Sequence, residues 1–114
     1  DEAEAQGVAR DRLVVDPGIG FAKNTEQNVA LLAATAQLAQ LGPLLVGASR
    51  KRFIGELCRE PLAGGRLGGS VGAAVWCALR GAAVVRVHDV KATRQALAVA
   101  ELLADKERLL KAYV

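Results

Sequence analysis

Two hydrophobic patterns alternate along the chain. Short, nearly all-apolar runs rich in valine and leucine lie at residues 13–16, 44–47 and 83–87, and such runs are typical of strands buried on both faces. After each run, apolar residues recur every three or four positions, which predicts helices over residues 25–41, 70–80 and 93–104, with a short helical turn at residues 53–57. The chain therefore reads as strand and helix in alternation, three times.

Residues that start and stop helices sharpen these boundaries. Side chains able to cap a helix N-terminus stand before each periodic stretch: Asn24 or Thr25, Ser70 and Thr93. Residues 42–43 (Gly-Pro) and Gly81 stop the first two helices, and Gly7 is expected to close a helix over residues 1–7. The glycine-rich residues 61–69 are predicted to form a connecting loop, because their spacing is too irregular for a phosphate-binding fingerprint.

This order of elements predicts parallel strands joined by right-handed crossovers and covered by helices. Three parallel strands alone would leave both edges of the sheet without a partner strand. Either the chain assembles with another chain, or it is the closing part of a (β/α)8 barrel, which needs about 250 residues. We favour the second: an α/β fold in which residues 1–114 form the C-terminal part, about three βα units, of a single TIM-barrel domain.

Composition narrows the class of protein. With 52% hydrophobic and 24% charged residues the chain is globular, and no apolar run approaches the roughly 20 residues of a membrane span. Cys58 and Cys77 have no metal-ligand spacing, which indicates reduced thiols in the cytoplasm. The net charge of +3 favours an anionic small molecule over nucleic acid, because no basic run is interleaved with aromatic residues.

Charged residues stand at the carboxyl ends of all three predicted strands, which is the end of a barrel where active sites form. Asp16 could be a general base, a metal ligand or an acceptor for two donors of a heterocycle. Lys51 supplies a compact charge, and Arg86 and His88 are two positions apart, so they project to one face as an anion clamp. Each motif alone is also typical of a turn or a solvated loop, but their recurrence in three successive units favours one shared site.

Three motifs together resemble a known family. Residues 16–23 (DPGIGFAK), 47–51 (GASRK) and 86–89 (RVHD) are similar, in order and spacing, to the C-terminal signatures of the dihydropteroate synthase family. The resemblance implies a (β/α)8 barrel enzyme of folate synthesis. Such an enzyme condenses p-aminobenzoate with (7,8-dihydropterin-6-yl)methyl diphosphate, giving 7,8-dihydropteroate and diphosphate.

The resemblance also implies roles for individual residues. Asp16 would hold the amino-pyrimidine edge of the pterin, and Lys51 its ring oxygen and nitrogen. Arg86 and His88 would bind the diphosphate with the help of Mg²⁺, which this part of the chain does not itself ligate. Phe21, Lys51 and Arg52 would lie near p-aminobenzoate, although many family members carry serine where this chain has Arg52. The implied catalytic residues are Lys51, Arg86 and His88, in a cytoplasmic homodimer.

Two other functions also fit these residues. A pterin-binding methyltransferase domain would share the barrel and the pterin carboxylate but has no need of a diphosphate clamp. A non-catalytic, truncated α/β module would instead pair its exposed sheet edge with another chain. Because the family's earlier βα units are not among these 114 residues, we expect the isolated chain to be inactive.

Overall fold

A computed structural model describes residues 15–21 and 23–112. Its elements, in chain order, are α1 (Thr25–Ala33), α2 (Thr35–Ala39), β1 (Leu45–Val46), α3 (Arg52–Cys58), a 3₁₀ turn (Ala63–Gly65), α4 (Leu67–Leu79), β2 (Val84–Val85) and α5 (Val90–Ala112). The helix end expected at Gly7, and residues 13–14 of the first predicted strand, lie outside the described residues. The alternation of strand and helix follows the hydrophobic pattern of the sequence.

The strands are parallel, as their all-apolar sequences predict. Leu45 pairs with Val84 and Val46 with Val85. On the other side of β1, Val15 forms a parallel bridge with Leu44, and its carbonyl accepts a 2.8 Å hydrogen bond from the Leu45 amide. The three charged segments therefore leave neighbouring strands at the same edge of the sheet.

The third strand is shorter than residues 83–87. The Arg86 amide still donates to the Val46 carbonyl at 2.9 Å, one residue beyond β2. The chain then turns, and the next described contact is between His88 and the Ser49 hydroxyl. The regular strand thus ends at Val85, and His88 binds the loop that follows β1.

The core lies between the sheet and the helices. Leu44 and Cys77 are completely buried, Phe53 and Ile54 of α3 pack into the same cluster, and Ile19 joins them with 2% of its surface exposed. Ile19 belongs to the segment that follows Asp16. Burial of its side chain, which is worth about 2 kcal/mol, therefore anchors that segment against the sheet.

The predicted helix over residues 25–41 is interrupted. It divides at Ala34 into α1 and α2, and the buried Thr35 hydroxyl donates a 2.6 Å hydrogen bond back to the Leu32 carbonyl. Such local bonding competes with regular helix geometry. The apolar period remained in phase across the break, so hydrophobic spacing alone did not indicate it.

Ser70 and Thr93 are not N-caps, which corrects both predictions. Helix α4 begins three residues before Ser70, at Leu67, and the Ser70 hydroxyl accepts a 2.8 Å hydrogen bond from the Arg50 amide. Helix α5 begins at Val90, and Thr93 donates to the Asp89 carbonyl from both its amide and its hydroxyl. Both side chains are buried and satisfy partners inside the fold.

Helix α5 packs on α4. Its later turns expose a row of large apolar side chains: Val99, Leu102, Leu103, Leu109 and Leu110. Charged residues separate them, and within residues 15–21 and 23–112 no helix has the length and apolar character needed to cross a membrane.

Candidate functional site

A tight turn follows Asp16 at the carboxyl end of the first strand. Gly18 and Gly20 have φ angles of 70° and 87°, which side chains other than glycine rarely adopt. The Asp16 carboxylate accepts a 2.9 Å hydrogen bond from the Gly18 amide through Oδ1, and the Phe21 amide donates to the Gly18 carbonyl at 3.1 Å. The turn therefore fixes the carboxylate at the edge of the sheet where the three strands end, which we call the rim. Phe21, in the same turn, is 64% exposed.

Asn28 holds this turn from below, and the sequence analysis missed it. Its side chain is 2% exposed; Oδ1 accepts from the Gly20 amide at 2.7 Å and Nδ2 donates to the Asn24 carbonyl at 3.0 Å. Asn24 in turn caps α1 in a capping box with Gln27. The sequence shows only an asparagine eight residues after Gly20, and the burial and turn contact that give it this role arise only in the folded chain.

We expect Asn28→Ala to lower the free energy of unfolding by about 2 kcal/mol, because it leaves buried hydrogen-bonding groups without a partner. Urea denaturation of the protein that carries this chain measures the change. Gln95→Ala, which removes an exposed amide from α5, is the matched control and should stay within about 0.5 kcal/mol of the parent. Equal stability of the two variants would contradict the role of Asn28.

Lys51 crosses from the second strand to the turn after the first. It lies directly before α3, and its ammonium donates to the Ile19 carbonyl and sits 4.8 Å from the centre of the Phe21 ring. A Cβ on Gly20 would come within 2.7 Å of the Lys51 Cδ. Gly20 therefore serves two purposes: it allows the turn, and it leaves space for the lysine stem.

Charged residues of the rim affect the pKa of the Lys51 ammonium. Partial burial lowers the pKa of Lys51, and the positive charge of Arg86 lowers it further. The Asp16 carboxylate acts in the opposite direction, and Lys23 adds a smaller lowering effect. Residues from all three strands thus share one electrostatic environment, in which an added negative charge would be stabilised.

Arg86 lies against the backbone of the neighbouring strand end. A Cβ on Gly47 would come within 2.6 Å of Nη2 and 2.9 Å of Nε of Arg86. The guanidinium therefore occupies the space that a side chain at position 47 would take. Glycine at this position is explained by that close approach, since its backbone is not in the left-handed region.

Ser49 holds His88. The Ser49 hydroxyl lies 3.2 Å from the His88 amide, which donates to it, and 3.0 Å from the imidazole Nδ1. Ser49 is buried, whereas His88 is exposed. Contact at Nδ1 leaves Nε2 as the imidazole atom directed away from Ser49, so the ring is orientated by the loop of the adjacent strand.

Arg52 is the least constrained of the predicted residues. Its side chain is 91% exposed, and Nε lies 3.5 Å from Oε1 of Glu56, whose other oxygen accepts from the Thr25 hydroxyl. Arg52 and Glu56 line a groove of about 650 Å³ that also contains Phe21, Lys51 and Lys23. The structure therefore brings Arg52 to the same groove as Phe21 and Lys51.

The assembled rim offers the Asp16 carboxylate, several cations and an orientated imidazole. Within the described part of the chain, no three His, Cys, Asp or Glu side chains come together in a way that could hold a metal ion. The arrangement suits an organic anion whose polar ring presents donors to Asp16 and acceptors to Lys51.

Comparison with known proteins gives consistent matches. The family model for pterin binding enzymes matches residues 1–88. Dihydropteroate synthase from Neisseria meningitidis serogroup B is 50% identical over 106 residues, which cover 90% of this chain and 37% of that enzyme. The chain thus spans little more than a third of the length of this relative.

Solved structures agree with the sequence match. Dihydropteroate synthase from Xanthomonas albilineans, in complex with 7,8-dihydropteroate, has a TM-score of 0.87 and 49% identity, covering 90% of this chain and 40% of that one. A structure of the same enzyme with 4-aminobenzoic acid also has a TM-score of 0.87 and 49% identity, over 90% of this chain and 38% of that one. These matches confirm the predicted fold class, part of a (β/α)8 barrel. The chain belongs to the pterin binding enzyme family.

Proposed function

We propose that the protein carrying this chain is a dihydropteroate synthase. It would join p-aminobenzoate to (7,8-dihydropterin-6-yl)methyl diphosphate and release 7,8-dihydropteroate and diphosphate. The observation that carries the proposal is the meeting of three neighbouring parallel strand ends, where Lys51 reaches the Ile19 carbonyl in the turn after Asp16 and the Arg86 guanidinium lies against Gly47. The relatives named above, with their bound product and aminobenzoate, support the same reaction.

In this proposal, the pterin ring lies between the first two strand ends. Asp16 accepts hydrogen bonds from the amino-pyrimidine edge, since a carboxylate can accept two parallel donors. Lys51 donates to the ring oxygen and nitrogen. The turn at Gly18 and Gly20 holds both groups in place before the substrate arrives, so little rearrangement is needed on binding.

Arg86 and His88 stabilise the leaving group. The amine nitrogen of p-aminobenzoate forms a bond to the pterin methylene carbon while the bond from that carbon to the diphosphate oxygen breaks. The electron pair leaves with diphosphate, and the amine loses a proton to solvent. Negative charge accumulates on the leaving oxygen, where a fixed guanidinium and imidazole stabilise it most.

p-Aminobenzoate would lie in the groove beside Phe21. The exposed ring offers a flat apolar surface, and Lys51 and Arg52 supply positive charge for the carboxylate. Arg52 stands where many family members have serine, and its guanidinium is tethered by Glu56. We propose that it attracts the carboxylate at the mouth of the groove, at longer range than a hydroxyl would.

We also propose Mg²⁺ as a cofactor that neutralises charge on the diphosphate. We propose that its protein ligands come from residues outside this part of the chain. Arg86 and His88 would then act on the diphosphate directly.

The reaction itself is the test. The purified protein that carries this chain should convert the two substrates into dihydropteroate and diphosphate in equal amounts. Chromatography measures the dihydropteroate, and a coupled assay measures the diphosphate. 6-Hydroxymethyl-dihydropterin, which lacks the leaving group, should give no product. Methyl transfer from a methylated reduced pterin, with no diphosphate-dependent reaction, would instead indicate a pterin-binding methyltransferase.

Gly47→Ala gives a second, more local test of the diphosphate site. The added methyl group would displace the Arg86 guanidinium, which is at the end of a flexible side chain, so we expect about a tenfold loss in kcat/KM with a Tm change of only a few degrees. Gly72→Ala, where a Cβ meets nothing within 4 Å, is the control. Unchanged activity in Gly47→Ala would contradict the placement of Arg86 in catalysis.

We propose that the protein is a homodimer formed through its late helices. The exposed apolar side chains of α5 and the half-exposed Trp76 of α4 are the support for this proposal. Sedimentation equilibrium measures the state directly, and replacing Leu103 and Leu110 by glutamate should shift a dimer towards monomer.

We further propose that the protein works in the cytoplasm. Cys58 and Cys77 are both free thiols, and free thiols persist where the compartment is reducing. Cell fractionation followed by immunoblotting tests this.

A further inference from the structure

Arg50 adopts a backbone conformation that arginine rarely takes. Its φ angle is 59°, in the left-handed region, between the buried Ser49 and the functional Lys51. Side chains from α4 and the preceding loop hold both of its peptide groups. The Ser70 hydroxyl accepts from the Arg50 amide at 2.8 Å, and Nη1 of Arg66 donates to the Arg50 carbonyl at 2.9 Å. A strained residue persists only where its surroundings enforce it, and strain of this kind is concentrated at functional sites.

The same arginine joins the loops of two neighbouring strands. Its guanidinium forms two hydrogen bonds to Asp89, 2.9 Å from Nη2 to Oδ1 and 3.3 Å from Nε to Oδ2. Both side chains are about one-third exposed or less, so water screens the pair only in part. Asp89 directly follows His88, and its carbonyl accepts the first hydrogen bonds of α5 from Thr93.

Arg50 lies between two residues that belong to the candidate site: Ser49, which holds His88, and Lys51. Ser49, one residue before it, contacts the His88 amide and imidazole. Lys51, one residue after it, reaches Ile19 and Phe21. We propose that Arg50 is a positioning residue that couples Lys51 to His88. Its bond to Asp89 holds His88 at the orientation in which Lys51 and His88 act on one substrate. This inference rests on the proposed function for the identity of that substrate.

The planar guanidinium is what this role requires. It spans both oxygens of Asp89, whereas an ammonium at this position could hold only one of them. Neither Arg50 nor Asp89 needs to touch the substrate for the effect. Loss of the bond should loosen the His88 segment while leaving the Phe21 groove unchanged, because no described contact of Asp89 extends to that groove.

The test compares Arg50→Met, Asp89→Asn and the double variant in the protein that carries this chain. Methionine keeps the left-handed backbone strain of position 50 but removes the guanidinium and its two hydrogen bonds to Asp89. We expect each single variant to raise KM for the pterin diphosphate about tenfold, the loss expected for a hydrogen bond to a charged group. KM for p-aminobenzoate should change less than twofold. Arg50→Lys should give an intermediate value.

The double variant distinguishes coupling from two separate effects. If both residues act through their mutual bond, its KM should match that of a single variant instead of showing the product of the two changes. Arg108→Met with Asp105→Asn, which removes an exposed ion pair of α5, is the matched control and should leave both KM values unchanged. Multiplicative effects, or equal changes in KM for both substrates, would overturn the proposal.

A readout that does not depend on turnover separates this inference from the proposed function. The ¹⁵N resonances of the His88 ring should shift in Arg50→Met and Asp89→Asn, because the contact between Nδ1 and the Ser49 hydroxyl is disturbed. If the parent protein makes no dihydropteroate, the proposed function fails, and this shift still decides the coupling. Unchanged His88 resonances in both variants would refute it.

Discussion

Replacing Lys51 with methionine should lower kcat/KM for dihydropteroate formation by about a thousandfold, the upper range for loss of one preorganised electrostatic donor. Methionine preserves most of the stem that packs over Gly20 but removes the ammonium that binds the Ile19 carbonyl. The loss should therefore appear in catalysis far more than in folding. Steady-state kinetics with both substrates, together with thermal denaturation, measures the two effects.

Lys111→Met provides the control for this change. Lys111 is exposed on α5, outside the groove, the rim and the apolar row of that helix, so the same substitution there should leave kcat/KM within about twofold of the parent. A thousandfold loss that came with a collapse in Tm would reflect unfolding. Near-parental activity in Lys51→Met would remove Lys51 from the proposed mechanism.

Asp16→Asn should weaken pterin binding by about a hundredfold, since an amide presents a donor where the pterin edge also presents donors. The substitution is nearly isosteric, and the asparagine oxygen can still accept from the Gly18 amide, so the turn should persist. Isothermal titration with the pterin diphosphate measures the affinity, and Tm reports the turn.

Asp105→Asn, at an exposed position of α5, is the matched control for the loss of charge and should bind pterin as the parent does. Equal affinity of Asp16→Asn and the parent would show that Asp16 does not read the donor edge. A further variant, Asp16→Ala, should lose both pterin affinity and stability, because it also removes the acceptor of the Gly18 amide.

Hydrophobic spacing in the sequence predicted most of the fold. The parallel pairing of β1 with β2, the positions of α4 and α5, and the placement of charged residues at one edge all follow from apolar runs and helical periods. Cap positions failed where tertiary partners competed for the same side chains. Ser70 is a good N-cap by type, but its hydroxyl binds the Arg50 amide across the fold, and no local pattern encodes a partner twenty residues away.

The candidate site was predictable in its charged groups and not in its supports. Asp16, Lys51, Arg86 and His88 stand at strand ends that sequence can locate. Asn28, by contrast, acts on Gly20 through a turn whose geometry is set by two positive φ angles. The strained backbone of Arg50 was equally hidden, because its causes are Arg66 and Ser70, which approach only after α4 has packed.

The outer edge of β2 has a consequence for how the protein reaches its native state. Val84 on this strand is 49% exposed. In the C-terminal part of a (β/α)8 barrel, β2 would be the last strand, and the last strand pairs with the first when the barrel closes. That pairing joins segments far apart in the sequence, and it yields its hydrogen bonds only after the entropy of a very long loop has been lost. Barrel closure at Val84 is therefore expected to be a late and slow event, during which an uncovered valine edge is open to pairing with other chains.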